Sequence, residues 1–260
     1  MKKFGFLSIV LSLFIFSCQK NEVAIDQPIT DLERQAILSK GFSPQNAVRL
    51  EEGFLVEGDI VLTKEEMQEA ALYQLIRIAE IEQYRTNNLV TGLPRQIKVS
   101  ISSQLPTSYI NCLDIALARY NAENLQLTFV RVSSGADISI LKGSGSYLAS
   151  AGFPTSTGQP YNQVKVNSRA IGTNPNANYL ATILAHELGH CIGFRHTDYM
   201  NRAYSCGGSP TNEGSSTVGA VHIPGTPTTA DPNSWMLACI GSGQNRPFNA
   251  NDKTALNYLY

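Results

Sequence analysis

The chain has 260 residues, 43% of them hydrophobic and 16% charged, with a formal net charge of −1. That length allows one large domain or two modest ones, and the composition is ordinary for a soluble globular protein, so size does not limit core formation. No block of Lys and Arg and no basic-aromatic interleaving is present to follow a phosphate backbone, so nucleic acid is not expected as a partner.

The first element in chain order is a leader. MKKFGFLSIVLSLFIFSC joins Lys2 and Lys3 to an apolar stretch from Phe4 to Phe16 that is too short to span a bilayer comfortably, and it reads as an export signal. Its end, Ile15-Phe16-Ser17-Cys18, resembles the lipobox of bacterial lipoproteins, in which a small residue precedes the cysteine that is acylated. The resemblance implies a signal peptide over residues 1–17, lipidation at Cys18 and a membrane anchor through that lipid. A conventional secretory signal with an incidental cysteine is the alternative. Gln19-Lys20-Asn21-Glu22 resembles the charged tags that send some bacterial lipoproteins to the cell surface. The chain is therefore expected to be exported, to the outer membrane or cell surface, or released after processing.

Besides Cys18 the chain holds Cys112, Cys191, Cys206 and Cys239. An even number in an exported chain favours two disulfides, and sequence leaves their connectivity open. Zinc ligation is the competitor, but no Cys-x-x-Cys pair occurs.

Residues 19–90 carry 13 acidic and 7 basic side chains, a net of −6, whereas 91–260 carry 8 acidic and 11 basic, a net of +3, so the two parts attract each other. Residues 18–90 are expected to form an acidic pro-segment or spacer. Thr30 with Glu33 and Thr63 with Glu66 form capping-box patterns, opening a short helix and a longer one from about Lys64 to Tyr84. Met67, Ala71, Leu75 and Ile78 give the second an apolar stripe. Between them GFLVEGDIVL suggests a hairpin or strand pair. Residues 86–94, with Thr86-Asn87-Asn88 and Thr91-Gly92-Leu93-Pro94, read as a linker.

Beyond it, Ile97, Val99 and Ile101 alternate as a strand, followed by a helix from about Thr107 to Asn121. Strands are expected around Leu125 to Phe129, Asp137 to Leu141 and Tyr161 to Asn167, and a helix from Asn176 or Asn178 to about Ile192. Cys206 to Asn233 is loop-rich, and a last helix follows Asn251.

HELGHCIGFRH, from His186 to His196, holds three of the four histidines. On a helix, His186 and His190 are one turn apart and can aim two imidazole nitrogens at one point, with Glu187 beside them. Gly193 can adopt positive φ, end the helix and let His196 return as a third ligand. Three ligands and an open corner suit one catalytic zinc, which lowers the pKa of bound water toward about 7 so that Glu187 can take its proton.

The eleven residues match the HExxHxxGxxH signature of the metzincin zinc endopeptidases, and Ser234-Trp235-Met236-Leu237 resembles the methionine turn of that clan. Core filling is the alternative role for Met236. Within the clan the chain is most similar to the bacterial dual-action HEIGH metallopeptidases, with Leu188 where that name has isoleucine. The resemblance, over most of residues 95–260, implies an α+β catalytic domain across 91–260. Its parts would be a twisted, mostly parallel sheet with an antiparallel edge strand, two packed helices, and a loop-rich lower part with the methionine turn and a C-terminal helix. A small, mainly helical pro-segment would precede it. It implies Glu187 as catalytic base, zinc on His186, His190 and His196, and peptide substrates along an edge strand near Gly143 to Ala151. The loop holding His222, Pro224, Pro227 and Asp231 would wall the pocket after the scissile bond, with His222 an ordinary loop residue. Ala238 stands where astacins and serralysins carry a zinc-contacting tyrosine. Asp198 could orient His196 or cap a turn. If the acidic segment covers the cleft, an acidic plug could come from Asp26, Glu51, Glu52 or Asp59. A cysteine switch is excluded, because no cysteine lies between Gln19 and Val90. The expected molecule is a monomeric, lipid-anchored zinc endopeptidase. Alternatives are an inactive, metal-stabilised binding lipoprotein or a zinc aminopeptidase or amidase; calcium is left open.

Overall fold

The computed structural model describes residues 28–68, 83–210, 212, 219–227 and 230–260. The leader, Cys18, Asp26 and the expected helical stripe at Ala71, Leu75 and Ile78 lie outside them. α1 (Asp31–Ser39) opens with the expected box: Thr30 Oγ1 accepts the Glu33 N–H and the Glu33 carboxylate accepts the Thr30 N–H. β1 (Val48–Arg49), β2 (Gly53–Val56) and β3 (Ile60–Thr63) then make an antiparallel sheet in that order. Val56 pairs with Ile60 across a tip of Glu57, Gly58 and Asp59. At that tip Glu57 and Gly58 lie at φ 54° and 91°, the left-handed region. The Thr63–Glu66 box starts α2 (Lys64–Gln68). Among the described residues this segment is thus as much sheet as helix.

The long helix expected from Lys64 does not reach Tyr84, because Tyr84–Arg85 is a strand, β4, whose partner comes late in the chain. Nor is the following stretch a free linker. Thr86 N–H donates to Gly193 O at 2.8 Å, Val90 N–H to the Tyr260 hydroxyl at 3.2 Å, and Gln83 Nε2 to the Asp252 carboxylate. The boundary expected near residue 90 falls inside a stretch stitched into the body of the molecule.

The body has a five-stranded sheet built from β5 (Arg95–Ile101), β6 (Leu127–Arg131), β7 (Ile138–Lys142), β8 (Ala149–Ser150) and β9 (Gln163–Val166). The order is β6-β5-β7-β9-β8, parallel throughout except for β8 at the edge. α3 (Ser108–Asn121), between β5 and β6, turns Leu113, Ala116, Leu117 and Tyr120 inward. After the short α4 (Ser168–Ile171) comes α5 (Ala177–Ile192), which packs against α3. Asn176 caps α5 through the N–H groups of Asn178 and Tyr179. Leu180, Leu184 and Leu188 on α5 are fully buried, each stabilising the fold by about 1.5–3 kcal/mol. α6 (Ala203–Cys206), β10 (Val221–His222), which pairs with β4, and α7 (Ala250–Leu259) complete the loop-rich lower part. Among the described residues no helix is long and apolar enough to cross a membrane.

Among the described residues one disulfide forms, Cys206–Cys239, closing a separation of 33 residues, worth about 3–4 kcal/mol in the loop-entropy picture. The second expected disulfide does not form: Cys112 and Cys191 are free and buried. Both lie in the hydrophobic core, Cys112 on α3 and Cys191 on α5. Burial pushes both thiols up. They serve as small apolar side chains rather than cross-linkers.

Candidate active site

α5 delivers His186 and His190 on successive turns with Glu187 next to His186, and it stops because Gly193 takes φ 111° and ψ 8° as its left-handed cap. A Cβ at Gly193 would meet Leu89 Cδ2 at 2.8 Å and Asn88 O at 3.0 Å, so glycine is required by space as well as by φ. The chain then turns back and His196 joins the other two. Ring centroids lie 4.6 Å apart for His186–His190, 4.9 Å for His190–His196 and 5.3 Å for His186–His196.

Two of the rings are oriented by backbone carbonyls. His186 Nδ1 donates to Trp235 O at 2.9 Å and His190 Nδ1 to Phe194 O at 2.8 Å. That assigns the proton to Nδ1 and leaves Nε2 as a lone pair. Burial, then the neighbouring His186 and His196, lowers the pKa of His190 well below its ordinary value, which keeps the ring neutral and able to ligate. His190 Nε2 is buried without a hydrogen-bond partner.

The fourth member of the cluster is Asp59, from the β2–β3 tip. One ligand atom each from Asp59, His186, His190 and His196 lie within 4.8 Å of one another. Asp59 Oδ2 is 3.2 Å from His196 Nε2 and 3.5 Å from His186 Nε2. Ligands about 2.0–2.1 Å from a tetrahedral zinc are separated by about 3.3 Å, so these two spacings suit ligands sharing one ion. The His196–Asp59 contact is a hydrogen bond when His196 Nε2 carries a proton, and with that nitrogen unprotonated the two atoms can share a cation. The donor set and the orphaned His190 Nε2 therefore fit zinc.

Glu187 is buried, and its Oε2 has no hydrogen-bond partner. Burial, with the nearby Asp59 carboxylate adding to it, pushes its carboxyl well above the usual range. Beside it lies a cavity of about 250 Å³, lined among others by Tyr147, Leu148, Arg202, Leu237, Ile240 and Arg246. The lower wall comes from residues after Met236. Of the loop expected there, the described residues do not line this cavity: His222 pairs with Tyr84 in β10 and contacts Thr226 Oγ1 at 3.3 Å, while Asp231 accepts from Asn249 and Asn251.

Met236 is fully buried in the turn beneath the cluster. Its carbonyl accepts the Thr197 N–H at 2.9 Å, and the preceding Trp235 carbonyl holds His186. The turn thus steadies two of the three histidine positions, which is more than core filling. Asp198 caps rather than orients: its carboxylate accepts from Ser205 N–H and hydroxyl and from Ala238 N–H, tying α6 to the chain after Met236.

Asp59 was only one of four acidic candidates in the sequence. Glu52 pairs instead with Lys165 at 2.7 Å. Arg195, inside the histidine motif, carries no signal of its role in the sequence. It is fully buried, pairs with Glu57 at 3.3 Å and lies over the rings of Phe42 and Tyr199. Nor does the sequence signal the need for Gly189, where a Cβ would lie 2.6 Å from Met236 Sδ.

Residues 54–260 match the profile of a family described as dual-action HEIGH metallo-peptidase. No curated protein matches the chain. Among solved structures it is similar to myroilysin at 16% identity, covering 66% of this chain and 95% of that one, with a TM-score of 0.44. It is also similar to high choriolytic enzyme 1, a hatching enzyme zinc-protease from the medaka fish Oryzias latipes, at 21% identity over 63% of this chain and 88% of that one, with a TM-score of 0.35.

Proposed function

The chain belongs to the dual-action HEIGH metallopeptidase family and is a zinc metalloprotease, and on that premise we propose that it is an exported, lipid-anchored endopeptidase in which Glu187 carries the proton. The observation supporting this most directly is the buried, unpartnered Glu187 Oε2 between His186 and His190, on the wall of a cleft.

When bound to His186, His190 and His196, zinc supplies a Lewis acid and an acidified water. With zinc held there, Glu187 would accept a proton from the attacking water as the water's oxygen bonds to the scissile carbonyl carbon. The same carboxyl would then give that proton to the leaving amine as the C–N bond breaks, and so return to its ionised form. Trp235 O and Phe194 O hold His186 and His190 by their Nδ1 protons throughout. An extended peptide is bound by strand addition at the sheet edge, where β8 is short and outermost and where Ile60 of the N-terminal segment now pairs with Ala151.

Export and lipid attachment are supported by the leader and Cys18, and by a disulfide of the kind that persists in oxidising compartments. The N-terminal segment packed over the site supports production in a latent form.

Glu187→Gln should leave about one zinc per chain while peptide cleavage falls about 10²–10⁴-fold, the usual share of a general base. Metal analysis and digestion of a peptide library check this: cleavage that survives the substitution removes Glu187 from the role, and purely terminal trimming by the parent removes the endopeptidase assignment. Labelled palmitate should enter the parent chain in its bacterial host and be lost in Cys18→Ala; equal labelling of both would end the anchor proposal.

A further inference from the structure

We propose that Arg246 makes the cavity beside Glu187 a subsite for an acidic substrate side chain, on the amine side of the bond to be cut. The proposal rests on the zinc-endopeptidase reading above and names the substrate class of that site.

The side of the bond follows from the direction of the proton. Glu187 serves the leaving amine, so the residue contributing that amine lies against Glu187 and turns its side chain into the cavity that Glu187 lines. A volume of about 250 Å³ suits one side chain. Leu148, Ile183, Leu237 and Ile240 flank it with apolar surface for a short methylene stem, and the polar groups among them select what the stem carries.

Those polar groups are mostly cations. Arg246 and Arg202 both line the cavity, and they meet at Cys239: Arg246 Nη1 donates to the Cys239 carbonyl at 2.7 Å, and Arg202 Nη2 lies 4.0 Å from Cys239 Sγ. Arg246 N–H also donates to Thr182 Oγ1 at 3.0 Å, and the rise of α5 sets Thr182 about 7.5 Å along the helix from Glu187. Behind that wall Arg119 Nη1 donates to the same Thr182 oxygen at 3.0 Å. The carboxylates that line the cavity, Asp59 and Glu187, belong to its metal corner.

Arg246 is the cation left without a counter-charge. Of its five guanidinium N–H groups, one on Nη1 goes to Cys239 O and one on Nη2 to Gln244 Oε1 at 3.4 Å, both neutral acceptors. It forms no ion pair with a carboxylate among the described residues. Asp198, whose charge it feels, spends its oxygens on Ser205 and Ala238. Half-burial strips water from the guanidinium and lowers its pKa from the ordinary value, with Asp198 acting in the opposite sense. Arg195, by contrast, has Glu57. Bracing Cys239 takes a single N–H and no charge. A partly desolvated cation fixed by neutral groups is stabilised by an incoming carboxylate, which can take the planar fork in two parallel hydrogen bonds. A substrate lysine would meet like charge instead.

The test uses the full chain loaded with zinc, as parent, Arg246→Gln and Arg246→Lys, with peptides that differ only in Glu, Gln or Lys after the scissile bond. Parent kcat/KM should be at least about tenfold higher for Glu than for Gln, the usual worth of a hydrogen bond to a charged group, and lowest for Lys. Arg246→Gln should bring the Glu-to-Gln ratio to about one, while Arg246→Lys, which keeps the charge but not the fork, should retain part of the preference. Lost bracing of Cys239 would slow all the peptides together and leave that ratio where it was. An unchanged ratio in Arg246→Gln therefore overturns the proposal, as does a parent indifferent to Glu and Gln. Binding supplies a readout that needs no turnover: the dipeptide amide of Glu and Ala should bind the parent at least about tenfold more tightly than that of Gln and Ala, and no more tightly in Arg246→Gln. Charge-selective binding with no peptide cleaved would sink the endopeptidase reading and leave the subsite standing. Cleavage without charge selection would sink the subsite alone.

Discussion

At Gly189 a single missing methyl group separates the ligand helix from the turn beneath it. Helix propensity alone favours alanine there by roughly 0.5–1 kcal/mol. Against that, the added Cβ would sit 2.6 Å from Met236 Sδ and 3.2 Å from Trp235 Nε1. Met236 is fully buried and Trp235 nearly so, and overpacking of this kind costs about 1–3 kcal/mol. The contact should win. Gly189→Ala is expected to lower stability by about 1 kcal/mol net and to weaken zinc binding, because Trp235 O holds His186. Urea midpoints and zinc titration read the two effects; a variant as stable and as zinc-tight as the parent would show that the contact has slack. His186, Glu187, His190, Gly193 and His196 are legible in the sequence because helical spacing and one glycine bend fix their mutual placement locally. Gly189 lies in the same motif but is not legible this way, since its reason is Met236, brought near only by folding.

Among the elements, α7 shows how a cap reaches the site. Asn249 and Asp252 form a capping box, and the Asp252 carboxylate also accepts from Trp235 N–H and Gln83 Nε2. Burial outweighs these hydrogen bonds and pushes Asp252 up to about 6, from 3.8. A raised native value means that the protonated form folds more readily. Its stabilising contribution is complete below about pH 4 and is lost as pH rises toward about 6, on the order of 2–3 kcal/mol. Asp252→Asn should flatten that part of the profile. Gln83 Oε1 has no partner, so a flipped Gln83 amide can receive the new N–H. Urea midpoints of parent and variant between about pH 4 and 6 decide it, and a constant difference across that window would remove Asp252 as the cause. The sheet strands, α3, α5 and α7 are readable from alternation and helical spacing. The Lys64–Tyr84 helix overruns because periodicity does not register that Tyr84 is taken by a cross-chain ladder with β10.

Across the whole molecule, the opposite charges of the two parts meet as discrete pairs, Glu52 with Lys165 and Glu57 with Arg195. Composition shows that the parts attract, but not where. Asp59 could not be singled out among the acidic residues, since its position depends on the hairpin tip and on a sheet edge formed some ninety residues later at Ala151. The two-disulfide expectation failed for a related reason: counting thiols ignores which ones the core swallows. That burial has its own consequence for biogenesis. Four unpaired thiols allow three complete bridging patterns, and before α3 and α5 close together all four are available to an oxidant. Once that layer is shut around Cys112 and Cys191, Cys206 and Cys239 have only each other. Hydrophobic assembly therefore acts as the proofreader of oxidation, and a chain that meets oxidant too early pairs its sulfurs by chance.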